Sequence, residues 1–114
     1  MAGPLSGLRV LDLSRILAGP WAGQTMADLG AEVIKIEDPT TGGDVARYVP
    51  PYAIEADSLY FQAFNRNKKS VALDLRSKKG REAFEGLVRV SDAVFNNLRG
   101  DQPSQLGLTY ETLR

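Results

Sequence analysis

The chain contains 114 residues, which is enough for one domain with a buried core and too few for two domains of ordinary size. Its 14 Lys and Arg balance 14 Asp and Glu, so no overall field attracts nucleic acid or an anionic membrane, and we expect neither as a partner. The absence of Cys and His excludes disulfides, thiolate chemistry, Ser-His or Cys-His nucleophile pairs and the commonest metal ligands, so we expect no metal.

The sequence shows no sign of export. Residues 1–15 lack the basic region and the continuous apolar core of a signal peptide, and no run of about 18 apolar residues occurs. The lack of cysteine favours a reducing compartment. We therefore expect a cytoplasmic protein.

The first predicted elements are a strand, a helix and a second strand. Residues 8–13 form a short, largely apolar run, which is typical of a strand buried on both faces of a parallel sheet. Gly19-Pro20 predicts a helix start, because proline at the first helical position has a preset φ, and Gly30 suits the left-handed position that ends a helix. Residues 33–36 predict a second strand, parallel to the first. The apolar stripe of the helix is predicted at Ala22, Met26 and Leu29.

The composition changes between residues 37 and 58, where Pro, Gly, Thr and Asp predominate. This predicts a long excursion, and loops of such length are uncommon unless they are functional or pack against something else. Val71, Leu73 and Leu75 then alternate with Ala72 and Asp74, which predicts a third strand over 71–75.

The last third of the chain predicts a helix, a short strand and the start of another helix. Residues 93–95 form the strand, and Thr109 caps a final helix that stops after about one turn. Because so short a helix has almost no stability of its own, we expect the chain to be truncated. The first of these helices is predicted over 78–90, with Ser77 as its N-cap and Phe84, Leu87 and Val88 on its buried face.

The order of these elements predicts an α/β fold with a Rossmann-like, doubly wound and mainly parallel sheet. In such folds ligands bind outside the carboxyl ends of the strands. The candidate site therefore consists of the turns at residues 14–19, 37–47, 76–77 and 96–101.

The first turn fails as a dinucleotide fingerprint. The G-x-G-x-x-G motif needs a glycine where this chain has the bulky Trp21, so binding of NAD or FAD is disfavoured even though Glu37 stands where a ribose-binding acid belongs. The helix that begins at Gly19-Pro20 still offers free N–H groups to an anion. A different phosphate-bearing ligand therefore remains open.

Two basic segments flank the predicted third strand. NRNKKS (65–70) and RSKKGR (76–81) contain seven cations, which either form a small polyphosphate site or are solvated turn residues. Nucleic acid is disfavoured because no stacking aromatic residues alternate with them. No carboxylate has a recognisable activating partner, so no catalytic role is assigned to Asp12, Asp28, Asp44, Asp74 or Asp92.

Five stretches of the sequence have the order and spacing of one known family, and together they cover nearly the whole chain. They are PLSGLRVLDLSRILAGPWAGQTMADLGAEVIKIEDP, GDVAR, SLYFQAFNRNKKSVALDL, KKGREAFEGLVRVSDAVFNNLRG and LGLTYETL. This set resembles the N-terminal part of the family III CoA-transferases, the group that includes formyl-CoA transferase, the L-carnitine CoA-transferases and the α-methylacyl-CoA racemases.

The resemblance implies an enzyme of acyl-CoA metabolism that moves CoA between an acyl-CoA and a small carboxylic acid. In this family an aspartate attacks the thioester to form a mixed anhydride, which is covalent catalysis without His or Cys. Residues 1–114 would be an N-terminal CoA-binding Rossmann-like domain, with the second domain absent and a homodimer expected for the full-length form. Because the family's aspartate lies beyond residue 114, no catalytic residue is predicted and the chain alone is expected to be inactive.

The resemblance also implies a binding site for coenzyme A, which enters as part of the substrate acyl-CoA. Three segments carry it: the turn after the first strand, the end of the third strand, and the segment after the fourth. Residue by residue the predicted site consists of Ile16, Leu17, Ala18, Leu73, Asp74, Leu75, Arg76, Asn97, Leu98 and Arg99.

The chain departs from the family at two positions. Asp38 and Gln105 stand where the family carries arginines, and both changes remove a donor fork suited to phosphate oxygens. Two alternatives to the transferase stay open at this point: a racemase of the same family, and a stand-alone non-catalytic module for nucleotide binding or dimerisation.

Overall fold

The structure, a computed structural model, describes residues 3–55 and 57–114. Its main elements follow the predicted order, and short elements that were not predicted are added within the excursion, directly after it and after β6. From the amino to the carboxyl end they are β1 (Arg9–Asp12), α1 (Ala18–Asp28), β2 (Glu32–Glu37), β3 (Ala53–Ile54), β4 (Asp57–Ser58), α2 (Leu59–Phe64), β5 (Lys68–Ala72), α3 (Lys78–Arg89), β6 (Ala93–Phe95), α4 (Gln102–Gln105) and α5 (Tyr110–Leu113).

Four strands form a parallel sheet in the spatial order β5-β2-β1-β6. Following the chain, β2 is added beside β1 and β5 beside β2, all toward the same edge of the sheet. The chain then crosses back, and β6 is added on the other side of β1. This reversal puts a topological switch point between β1 and β6. The predicted α/β class with a mainly parallel sheet is confirmed. The remaining strands, β3 and β4, pair as a separate antiparallel hairpin inside the excursion.

Each face of the sheet carries a hydrophobic cluster. On one face Leu11 and Ile34 pack with Phe84 of α3, which is fully buried, and Leu87 and Val88 lie partly buried against them, as predicted. The oxygen of Ser77 accepts a hydrogen bond from the Gly80 N–H at 3.0 Å, which confirms the predicted N-cap. The cluster on the opposite face is smaller. It contains Val10, Ala31 and Val33, packed against Met26 and Ala27 of α1.

The predicted apolar stripe of α1 is wrong at two of its three positions. Ala22 and Leu29 are exposed, whereas Pro20, Gly23 and Gln24 are buried. The reason is close packing: a Cβ atom on Gly23 would lie 2.6 Å from Oδ2 of Asp12. The helix therefore approaches the sheet closely at Gly23, and a search for apolar periodicity does not detect a glycine.

The third strand of the sheet begins earlier than predicted. It spans Lys68–Ala72 and pairs with Val33–Glu37, although the backbone pairing extends to Leu73, whose N–H donates to the Glu37 carbonyl at 2.9 Å. Residues 68–70 of the basic segment NRNKKS, for which solvated turn residues were one interpretation, thus belong to the sheet. The ammonium of Lys68 tolerates this position because Asp12 Oδ2 and Asn65 Oδ1 each accept a hydrogen bond from it at 2.8 Å.

Within the described ranges, no helix has both the length and the apolar character needed to cross a bilayer.

Candidate functional site

Two neighbouring cavities lie at the carboxyl ends of the parallel strands. The first cavity measures about 190 Å³ and the second about 610 Å³. Arg15 after β1 and Leu98 after β6 line both, so the cavities lie at the switch point, where a doubly wound sheet binds its ligands. The first cavity is lined by Leu13, Ser14, Arg15, Lys35, Ile36, Glu37, Asp38, Thr41, Gly43, Asp44, Leu73, Leu75, Arg76, Leu98, Gln102 and Leu106. The second is lined by Arg15, Ile16, Val45, Asn97, Leu98, Arg99, Gly100, Asp101 and Gln102.

Seven of the ten predicted CoA-site residues line these cavities, and three do not. Leu17 and Ala18 lie at the start of α1 and are exposed. Asp74 lies in the loop between β5 and α3, where its Oδ1 accepts a hydrogen bond from the Arg76 N–H at 3.0 Å. The cavity-lining seven are Leu73, Leu75, Arg76 and Leu98 in the first cavity, and Ile16, Asn97, Leu98 again and Arg99 in the second.

Asn97 joins the turn after β1 to the turn after β6. Its Oδ1 accepts a hydrogen bond from the Arg15 N–H at 2.9 Å, and its Nδ2 donates one to the Arg15 carbonyl at 2.8 Å. These two turns flank the switch point. The side chain of Asn97 therefore sets the separation between two walls of the second cavity.

Most cations of the two basic segments are bonded away from the cavities. Lys68 is buried in an ion pair with Asp12, and this burial lowers the pKa of Lys68 although Asp12 opposes the change. Arg66 pairs with α1, and Arg81 donates to two carbonyls of the segment before α5. Of the seven cations, Arg76 alone lines one of these two cavities, the first, and its side chain is 68% exposed.

Of the two departures from the family, only Asp38 bears on the charge of the first cavity. Its Oδ2 lies 3.7 Å from Nη1 of Arg76. A hydrogen bond from Thr40 lowers the pKa of Asp38, as does the nearby positive charge of Arg76, so this carboxylate is ionised at neutral pH. Gln105 lies outside both cavities, where its Nε2 donates to a carboxylate oxygen of Asp101 at 2.9 Å.

Sequence reasoning missed the buried ion pair between Lys35 and Asp44. Their charged atoms are 2.8 Å apart, and their side chains are 2% and 0% exposed. Lys35 stands in the middle of an apolar strand, and Asp44 follows a Gly-Gly pair. A lysine inside a run that is otherwise typical of a buried strand is the signal that could have indicated a buried partner, since such a charge needs one.

A second group of charges, around the buried Glu37, holds the excursion against the sheet. Arg47 donates to both carboxylate oxygens of Glu37, at 2.8 and 2.6 Å, and to Asp57 at 2.8 Å. Because Ser70 and the Asp44 N–H also donate to Glu37, neither of its oxygens is free to bind a ribose. Glu37 therefore anchors the GDVAR segment. Among residues 3–55 and 57–114, no group of three or more acidic side chains is arranged to hold a metal ion.

The cavities suit a ligand that is both apolar and anionic. Leucine side chains from the segments that follow β1, β5, β6 and α4 line the first cavity, while the exposed side chain of Arg76 stands beside it and that of Arg99 beside the second. This combination of an apolar wall and a few charged groups is common among small-molecule sites.

Comparison with proteins of known sequence identifies the family. The model of CoA-transferase family III matches residues 5–114. Succinate–glutarate CoA-transferase of Agrobacterium fabrum is 46% identical over 97% of this chain, and human succinyl-CoA:glutarate CoA-transferase is 42% identical over 96%. Formyl-CoA:oxalate CoA-transferase of Streptomyces avermitilis is 38% identical over all of it. This chain spans 29%, 25% and 27% of these proteins, respectively.

Solved structures show the same similarity. A CAIB/BAIF family protein from Brucella suis superposes with a TM-score of 0.89 and 45% identity over 99% of this chain, which covers 30% of that protein. A hypothetical protein from Mycobacterium tuberculosis superposes with a TM-score of 0.86 and 43% identity over 99% of this chain, which again covers 30% of that protein. Because the family model matches nearly every residue and the fold agrees, the chain belongs to CoA-transferase family III.

Proposed function

We propose that this chain is the CoA-binding part of an enzyme that transfers CoA between an acyl-CoA and a carboxylic acid. The observation that carries the proposal is the pair of cavities at the switch point between β1 and β6, which seven of the ten residues predicted from the family resemblance line. The apolar walls fit the pantetheine arm of CoA, and Arg76 and Arg99 supply positive charge for its phosphates.

The activities for which these relatives are named favour a transferase over a racemase. Those reported above pair a CoA thioester with a dicarboxylic acid: succinate, glutarate or oxalate. We infer a dicarboxylic acid as the acceptor for the protein that contains this chain. The nucleophilic aspartate implied by the family has no counterpart among residues 1–114, so the transfer itself requires residues beyond this chain and, by the same resemblance, a homodimer.

Titration calorimetry with CoA on the full-length protein tests the binding site. Arg76→Gln and Arg99→Gln should each weaken CoA binding by about 10- to 150-fold, because a charge-assisted hydrogen bond to phosphate contributes about 1.5–3 kcal/mol. Arg89→Gln is the matched control, since Arg89 lies in the last turn of α3 and lines neither cavity. Its CoA affinity should equal that of the unmodified protein.

Two results would contradict the proposal. One is an absence of CoA binding at millimolar concentration by the folded full-length protein, and the other is equal affinity in all three arginine variants. Transfer is tested separately by incubating the protein with succinyl-CoA and glutarate or oxalate and separating the CoA esters by chromatography. CoA binding without any transfer would favour the non-catalytic nucleotide-binding module instead.

A further inference from the structure

The turn after β1 has an unusual backbone conformation. Ile16 has a φ of +75°. This left-handed region is uncommon for residues other than glycine, and for a β-branched residue it persists only where the surroundings impose it. Ile16 lines the second cavity and the preceding residue, Arg15, lines both, so whatever imposes this conformation also shapes the site.

The ion pair between Lys35 and Asp44 bonds both ends of this turn. The ammonium of Lys35 donates to the Ser14 carbonyl at 2.9 Å, and the carboxylate of Asp44 accepts from the Ile16 N–H at 3.2 and 3.3 Å. Since the two charged atoms are themselves 2.8 Å apart, one buried pair connects the peptide groups on either side of Arg15. The remaining two backbone groups, the N–H and the carbonyl of Arg15, form hydrogen bonds with the side chain of Asn97.

The carboxylate of Asp44 also holds a second segment that lines the second cavity. Oδ1 of Asp44 accepts from the Ala46 N–H at 2.9 Å and so begins the 3₁₀ turn at Val45–Tyr48. Val45, the first residue of this 3₁₀ turn, lines the second cavity together with Arg15 and Ile16. Asp44 therefore couples two segments that are 28 residues apart in sequence and adjoin the same cavity.

We propose that Lys35 and Asp44 are positioning residues, which hold Arg15 and Ile16 in the geometry that the CoA site needs. The inference rests on the proposed function and assigns a role to two residues that the family resemblance did not. A buried ion pair is costly to desolvate, and apolar side chains of equal volume often stabilise a fold as well. What an apolar pair lacks is a donor for the Ser14 carbonyl and an acceptor for the Ile16 N–H.

Asp44→Leu removes the acceptor for the Ile16 N–H, and Lys35→Met removes the donor for the Ser14 carbonyl. Each variant should raise the dissociation constant of CoA at least tenfold. Arg9→Gln is the control, because Arg9 forms an ion pair with Glu32 at the amino end of the sheet and lines neither cavity. It should change CoA affinity less than twofold even where it lowers the melting temperature as much as the other two variants do.

A double-mutant cycle separates positioning from general destabilisation. Glycine adopts a positive φ without strain, so in an Ile16→Gly background the turn depends less on Asp44. The fold-change in CoA affinity caused by Asp44→Leu should then be less than half of the fold-change that the same substitution causes in the unmodified background. An equal fold-change in the two backgrounds, or an unchanged affinity in folded Asp44→Leu, would overturn the proposal.

Hydrogen exchange on the unmodified protein decides the outcome if the variants do not fold. The Ile16 amide should exchange at least 100-fold more slowly than an unstructured peptide, although the residue as a whole is 48% exposed. Exchange at the free-chain rate would overturn the positioning role whether or not CoA binds. Slow exchange together with no CoA binding by the unmodified protein would instead contradict the proposed function and, with it, the need for positioning.

Discussion

Replacement of Glu37 by glutamine should flatten the acid dependence of stability. Glu37 ends β2, with its side chain 6% exposed, and four donor groups surround its carboxylate. Burial raises the pKa of Glu37, but the hydrogen bonds from Arg47, from the Asp44 N–H and from Ser70 outweigh it and lower the pKa to about 2. Glutamine keeps the shape of the side chain but does not titrate.

The size of the effect follows from the two protonation equilibria. An unfolded glutamate has a pKa of 4.5, and the interval between this value and about 2 corresponds to about 3 kcal/mol of unfolding free energy. Because the pKa is lower in the folded state, this contribution is fully present above pH 4.5. It is lost as the pH falls from 4.5 towards 2, where the carboxylate protonates in the folded protein as well.

Urea denaturation followed by far-ultraviolet circular dichroism, repeated between pH 7 and pH 2.5, measures the difference. The stability advantage of the unmodified protein over Glu37→Gln should shrink by about 3 kcal/mol across the acid range. Glu32→Gln is the control, because Glu32 pairs with Arg9 and Lys69 near the surface and its contribution is screened by solvent. If the curves of the unmodified protein and Glu37→Gln run parallel between pH 5 and pH 2.5, the hydrogen bonds do not hold Glu37 ionised and the reasoning fails.

Three further changes test the packing and the site. Gly80→Ala should destabilise α3 by about 1–3 kcal/mol, because its Cβ would lie 2.0 Å from the Asp74 carbonyl oxygen, whereas Gly86→Ala in the same helix meets nothing within 4 Å and should stabilise it by about 0.5–1 kcal/mol. Equal thermal denaturation of the two variants would contradict this. Phe84→Ala, at a fully buried position, should cost about 3–5 kcal/mol in urea denaturation, and a cost below 1 kcal/mol would show that α3 does not hold the core. Asp38→Asn frees Arg76 and should tighten CoA binding about two- to fivefold by calorimetry; weaker binding would show that Asp38 contributes to the site.

The sequence predicted the elements whose signals are local. Gly30 adopts a φ of +109° just beyond α1, as expected of a residue that ends a helix. The oxygens of Ser77 and Thr109 accept hydrogen bonds from N–H groups of the helices that they precede. Each of these features depends on a few neighbouring residues, so a single sequence contains the whole of the evidence for it.

The parts that could not be predicted depend on residues distant in sequence. Lys68 enters the sheet because Asp12 neutralises it, and these two residues are 56 positions apart. Gly23 faces the sheet because α1 lies against the same aspartate. Neither contact leaves a periodic pattern, since one buried charge or one glycine has no period. The predicted position of β5 and the predicted face of α1 were therefore wrong for the same reason.

The carboxyl edge of this sheet explains why buried charges collect around the candidate site. Where parallel strands end, the turns that follow leave N–H and carbonyl groups that no neighbouring strand pairs, and groups withdrawn from water need other partners. Here side chains of β2 and of the excursion supply them: Lys35 bonds the Ser14 carbonyl, and Glu37 and Asp44 accept from backbone N–H groups. The walls of the cavities are thus held by side chains. Substitutions of these residues should alter ligand binding through the turns that they hold.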